Sequence, residues 1–156
     1  MLLEVTTRAT PEQVRETLID FSDRRLRTWH RTLDPKTYEV REQGDTWAVA
    51  RESTAGSPFW GVFRYDWSDP SVIRTTVVEC SWGGSGSAAF WAVPSEGGSR
   101  VHAEWTHTGV TSRRDRILLA LIHTRPMRRF VARQWVKALD EFADSTRARS
   151  SEADAR

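Results

Sequence analysis

Arg51, Tyr65 and His107 are the side chains of this sequence whose types and placement could do chemistry on a small molecule. A histidine titrates near neutrality and can pass protons, a tyrosine hydroxyl can donate a hydrogen bond, and an arginine can hold an anion. Period-two alternation puts Val101, Ala103, Trp105 and His107 on one strand face. It groups Trp47, Val49, Arg51 and Ser53 in the same way, which predicts that Arg51 and His107 point inward. An inward arginine must meet a carboxylate, a carbonyl, water or an anionic ligand, because an unpaired charge in an apolar interior is very costly. A register slip of one residue would turn Glu52 inward in its place. No paired base, nucleophile or orienting carboxylate accompanies these residues at useful spacing, so no catalytic residue is assigned. Among the four histidines, His30, His102, His107 and His123, no pair has metal-ligand spacing, and there is one cysteine.

Aromatic side chains supply the apolar counterpart. Within 59–67 the odd positions Phe59, Gly61, Phe63, Tyr65 and Trp67 face one way, and Trp60, Val62, Arg64 and Asp66 the other. The odd face is read as the concave one, with Gly61 marking a bend or bulge. Such a face either walls a cavity or simply packs as core. Trp29, Trp91, Trp105 and Gln134 complete the candidate ligand-binding set of Trp29, Arg51, Phe59, Phe63, Tyr65, Trp67, Trp91, Trp105, His107 and Gln134.

The elements that must hold these residues are legible from periodicity. Residues 2–8 read as a strand. Thr10 is an N-cap, Pro11 suits the first helical position and Gln13 completes a capping box, so a helix with Val14, Leu18 and Phe21 inward follows. Ser22 or Asp23 starts a second short helix carrying Leu26, Trp29 and His30. From 37 to 110 the period is two, with turn signals about every ten residues, which predicts six strands of an antiparallel meander. Helical periodicity returns after Thr111 and Ser112. Ile117 to Ile122 is continuously apolar, Pro126 predicts a break near 123–125, and Met127, Phe130, Val131, Gln134, Trp135, Ala138, Leu139 and Phe142 form one long stripe. Residues 144–156 lack an apolar pattern and are expected to be a tail without order. The predicted class is α+β: a curved antiparallel sheet of about seven strands wrapped around a long C-terminal helix, with two short helices after the first strand and one domain over 1–143.

That order, with its local sequence, resembles the START-like, helix-grip (SRPBCC) superfamily, which includes polyketide cyclases and dehydrases, lipid-transfer domains and pollen-allergen proteins. Ala9-Thr10-Pro11-Glu12-Gln13-Val14 followed by Leu18-Ile19-Asp20-Phe21 is similar to the superfamily's approach to its first helix. Trp29, Asp69-Pro70 before a strand, and Gly97-Gly98-Ser99-Arg100-Val101 before the last strand are similar as well. The resemblance spans roughly residues 1–143. It implies an internal cavity for an apolar ligand and no more; it permits a cyclase or dehydratase, but no universal catalytic motif comes with it, and a non-enzymatic binder is the leading expectation.

Composition narrows the function classes. With 156 residues and 38% hydrophobic content, the chain suits one core, and eight tryptophans give it much large aromatic surface. The lone Cys80 excludes an internal disulfide and fits a reducing cytoplasm. The beginning of the sequence lacks a basic, apolar leader, and no run of 18 apolar residues occurs, so a soluble chain is expected. A formal charge of +2 without a nucleic-acid motif argues against nucleic-acid binding. Between Arg113 and Lys137, however, eight basic residues face one acid, Asp115, a pattern of either a solvated helix face or a weak contact with an anionic membrane or partner. The glycine run Gly83, Gly84 and Gly86 lacks the lysine and following helix of a phosphate cradle, and no cofactor is expected. Three readings remain: binding or transport of a small apolar or amphipathic molecule; a cyclase or dehydratase acting on such a molecule; and a peripheral role for the basic 113–137 segment.

Overall fold

The computed structural model describes residues 1–154; the side chains of residues 150 and 152–154 are not described. Strands β1 (Leu2–Thr7), β2 (Glu39–Gln43), β3 (Trp47–Ser53), β4 (Trp60–Asp66), β5 (Ile73–Cys80), β6 (Ser85–Ser95) and β7 (Gly98–Thr108) form one antiparallel sheet in the order β1-β7-β6-β5-β4-β3-β2. Helices α1 (Pro11–Ile19) and α2 (Arg24–Thr28) carry the chain from β1 at one edge to β2 at the other. Helices α3 (Arg113–Ile122) and α4 (Arg125–Asp154) follow the sheet.

Local chemistry explains these boundaries. The Thr10 hydroxyl accepts from the Gln13 amide at 3.3 Å while the Gln13 side chain accepts from the Thr10 amide at 3.0 Å, the reciprocal cap expected from the sequence. Pro126 sits in the first turn of α4, where no intrahelical donor is needed, and the break falls at His123 and Thr124. The pairing of β4 with β5 shifts between Val62 and Phe63, next to Gly61, so the bend expected there is a bulge.

The core lies between the sheet and α4. Trp135, Ala138, Leu139 and Ala143 are buried against Leu3, Val5, Val101, Ala103 and Phe90. Asp140 ties the helix to the end of β1: its Oδ1 accepts from the Thr7 hydroxyl at 2.7 Å and from the Arg8 amide at 2.8 Å.

Two expectations for α4 need correction. The apolar stripe is in contact with the core only from Val131 onward, whereas Met127 and Phe130 are exposed, because the first turns of α4 continue the α3 corner rather than enter the grip. Residues 144–154, expected to lack order, continue α4; positions 155 and 156 lie outside the described residues. One local and one tertiary ion pair hold the start of the extension: Arg147 pairs with Asp144 at 3.8 Å, Asp144 pairs with Arg8 beyond β1 at 2.8 Å, and the Ser145 hydroxyl donates to the Phe142 carbonyl.

Candidate functional site

A cavity of about 300 Å³ lies between the concave sheet face and the helices. Its apolar wall is mostly aromatic: Phe59 and Phe63 near and on β4, Phe90 on β6, Trp105 on β7, Trp29 at the end of α2 and Trp135 on α4. Trp135 contacts three of these rings, with centroids 5.0 Å from Trp29, 5.8 Å from Phe90 and 6.0 Å from Trp105. The Trp29 indole donates to the Thr17 carbonyl at 3.0 Å, which fixes its ring against α1.

Six of the ten residues proposed from sequence, Trp29, Phe59, Phe63, Tyr65, Trp105 and His107, come together around this cavity. Arg51 does not. Cross-strand partners share a face, and the register pairs Ala48 with Tyr65, Ala50 with Phe63 and Glu52 with Gly61. Ala48, Ala50 and Glu52 therefore point inward, and Arg51 points outward, its guanidinium 4.2 Å from the Trp60 ring centroid. Trp67 is core, stacked on Phe21 at 5.7 Å. Trp91 pairs with His102 across the strands, stacks on it at 5.1 Å and lines a separate hollow of about 580 Å³ beside α1. Gln134 is half-buried at the border of the gripped face and does not line the cavity.

The inward Glu52 closes a buried polar cluster at one end of the cavity. Arg25 reaches Glu52 Oε1 through Nε and Nη2, both at 2.9 Å, and Nη1 donates to the Leu18 carbonyl at 3.0 Å. The Tyr65 hydroxyl donates to Glu52 Oε2 at 2.6 Å. Burial opposes the Arg25 charge, but Glu52 outweighs it and the pKa of Arg25 is raised. Burial, followed by the Glu52 charge, pushes the Tyr65 phenol well above its ordinary value of 10.0. Arg25, Glu52 and Tyr65 thus satisfy one another at this end, while the Tyr38 hydroxyl, which couples to their charges without lining the cavity, is enclosed without a hydrogen-bond partner.

The other end differs. His107 meets Trp82 and His123 edge-on, with centroids at 5.5 and 5.4 Å, and Phe59 packs edge-on against Trp82 at 6.1 Å. His107 Nδ1 and Trp82 Nε1 are enclosed without a hydrogen-bond partner. Burial, then the neighbouring His123, lowers the His107 pKa below 6.5; burial and then the N-terminal ammonium lower that of His123. Both rings are held neutral at pH 7. Leu119 and Ile122 of α3 cover this end against Phe59 and Trp82.

Sequence reasoning missed Arg25, Trp82, His123 and Trp135 as site residues, and turned Glu52 inward only as the outcome of a one-residue register slip, which is the register the structure has. Arg25 stands four positions before Trp29, so an inward Trp29 carries Arg25 to the same side of the short helix. Trp82 lies inside a glycine-rich connection that reads as a plain hairpin.

The sequence matches no protein-family model and no curated protein. The structure is similar to that of a protein from Thermus thermophilus, at 19% identity and a TM-score of 0.71 over 94% of this chain and 97% of the other. It is similar also to an aromatase/cyclase from Streptomyces sp. R1128, at 19% identity and a TM-score of 0.64 over 95% of each chain. Norcoclaurine synthase from Thalictrum flavum, in complex with dopamine and hydroxybenzaldehyde, matches at 13% identity and a TM-score of 0.65 over 93% of this chain and 86% of that one. An antiparallel seven-stranded sheet packed against a long C-terminal helix is the helix-grip fold, and the likeness to these structures shows that this chain has it.

Proposed function

We propose that the protein binds a small amphipathic molecule with an apolar, preferentially aromatic body, and that the polar group of the ligand lies at the His107 end of the cavity. The observation that carries this reading is the contrast between the two ends. Arg25, Glu52 and Tyr65 satisfy one another, whereas His107 Nδ1 and Trp82 Nε1 are enclosed without partners. A buried polar atom left unpaired is destabilising, and a ligand hydroxyl or carbonyl would relieve it. The aromatic walls suit a flat apolar body. At about 300 Å³ the cavity is at the small end of ligand sites. That size favours a compact aromatic molecule or a short acyl chain over a two-chain lipid.

Native mass spectrometry of freshly purified protein, followed by solvent extraction, should find a co-purifying molecule. Equilibrium dialysis with 2-naphthol and naphthalene tests the orientation. The hydroxyl should raise affinity about fivefold, the worth of one net hydrogen bond, and His107→Leu should abolish the difference. Failure of both probes to bind, with no co-purifying molecule, overturns the reading.

The neutral His107–His123 pair favours a second reading, in which the protein is a cyclase- or dehydratase-like enzyme using an uncharged imidazole to accept a proton from the bound molecule. His107→Gln would then lower turnover of a polyketide-like substrate at least 100-fold while leaving its binding within a few-fold. Equal turnover by the variant excludes this chemistry. A cytoplasmic location fits the lone Cys80 and is tested by fractionation.

A further inference from the structure

The outer side of the α3–α4 corner combines two features that do not occur together elsewhere among the described residues. Four of the seven exposed large hydrophobic residues lie within 117–130: Ile117 at 56% exposure, Leu121 at 55%, Met127 at 39% and Phe130 at 54%. Around them stand Arg113, Arg114, Arg116, Arg125, Arg128, Arg129, Arg133 and Lys137, all exposed except the half-buried Arg128. None of these eight cations has an ion-pair partner among the described residues; elsewhere Arg8, Arg24, Arg31, Arg41, Arg74, Arg100 and Arg147 are paired, and the unpaired Arg15, Arg27, Lys36, Arg51, Arg64 and Arg149 are not gathered in one segment. The inner side of α3 is already used, with Leu119 buried and Ile122 packed near it over Phe59 and Trp82.

We propose that this corner docks the protein on an anionic lipid bilayer, with Ile117, Leu121, Met127 and Phe130 entering the headgroup layer and the unpaired arginines meeting lipid phosphates and carboxylates. The proposal does not rest on the ligand reading. Apolar residues interleaved with arginine match a surface that is negative and also accepts apolar side chains, since the aliphatic stems of arginine lie along such an interface while their heads stay in water. A nucleic acid would leave the four apolar side chains uncovered. A second copy of the chain would bring two sets of uncompensated cations together. No helix among the described residues is long and apolar enough to cross a membrane, so the contact is a surface one.

Flotation with vesicles of phosphatidylcholine alone, and with about 30 mol % phosphatidylserine, tests the proposal at low salt and at roughly 0.5 M salt. Binding is expected only to the anionic vesicles and should fall in high salt. Each arginine near such a surface is worth about fivefold in partitioning, so the triple variant Arg113→Gln, Arg114→Gln, Arg129→Gln should bind on the order of 100-fold more weakly. Ile117→Ser with Phe130→Ser should also weaken binding at least tenfold while leaving the melting temperature unchanged, since both side chains are exposed. Absence of binding to anionic vesicles overturns the proposal, as does binding indifferent to the arginine variants. A concentration-dependent dimer that Ile117→Ser dissociates would also overturn it, because a second copy would then cover the patch.

Discussion

Replacing Glu52 with glutamine separates a structural anchor from a ligand handle. Arg25 is 4% exposed and Glu52 8% exposed. The substitution would leave the guanidinium inside the protein with the Leu18 carbonyl, an uncharged amide oxygen and the Phe21 and Tyr65 ring faces. Removing one partner of a buried ion pair costs about 3 to 5 kcal/mol, because the surviving charge stays desolvated. For a chain of this size each kcal/mol moves the melting temperature by roughly 2 to 4 °C, so the expected fall is about 6 to 20 °C. Urea unfolding followed by circular dichroism gives the free energy directly. Arg25→Met alone should be destabilising for the converse reason, a carboxylate left with only the Tyr65 hydroxyl. The double variant Arg25→Met, Glu52→Gln keeps an acceptor for Tyr65 and contains no buried charge. It should therefore be more stable than the sum of the singles predicts, by about 2 kcal/mol. Additive losses within about 0.5 kcal/mol, or a loss below about 1 kcal/mol for Glu52→Gln, would refute the claim that these groups neutralise one another in the interior.

Acid should destabilise the protein through the histidines at the opposite end. His107 and His123 bind protons more weakly when folded, their pKa values lying below 6.5, so the unfolded chain takes up more protons as pH falls. Their contribution is complete above about pH 6.5 and is lost on acidification through the folded values; urea titrations at several pH values should show a shallower decline in His107→Gln. Gly98→Ala should cost more than about 1 to 3 kcal/mol, read from urea midpoints, because the added Cβ would stand 2.0 Å from the Thr7 carbonyl oxygen and 2.7 Å from the Arg8 Cα, backbone atoms that cannot swing aside. Gly61→Ala should behave differently: its Cβ would meet the tip of the Phe63 ring at 2.5 Å, and that ring can move. The cost should appear chiefly as weaker probe binding by dialysis, since the displaced ring turns into the cavity, with a smaller change in melting temperature.

What the sequence made legible was whatever short-range chemistry decides. The Thr10–Gln13 cap, the period-two strands and the break ahead of Pro126 follow from interactions within a few residues, and each is present in the structure. The parity of β3 was not legible in this way. Large apolar residues on one face, Trp47 and Val49, ordinarily mark the inner side, but here the inner side is crowded by Phe21, Tyr65 and Trp67, and only Ala48 and Ala50 fit beneath them. The constraint comes from β4 and α1, so the strand's own composition misled. Once the register of β3 against β4 is fixed, the inward position passes from Arg51 to Glu52, and the requirement that an interior charge be paired then selects Arg25. That same pairing removes Tyr65 as a free donor, because its hydroxyl is committed to Glu52. Of Arg51, Tyr65 and His107, only His107 both lines the cavity and has a ring nitrogen without a hydrogen-bond partner. The site's chemistry was therefore decided by one strand register, which turns every side chain of β3 over when it shifts by one residue and leaves no trace in the local sequence.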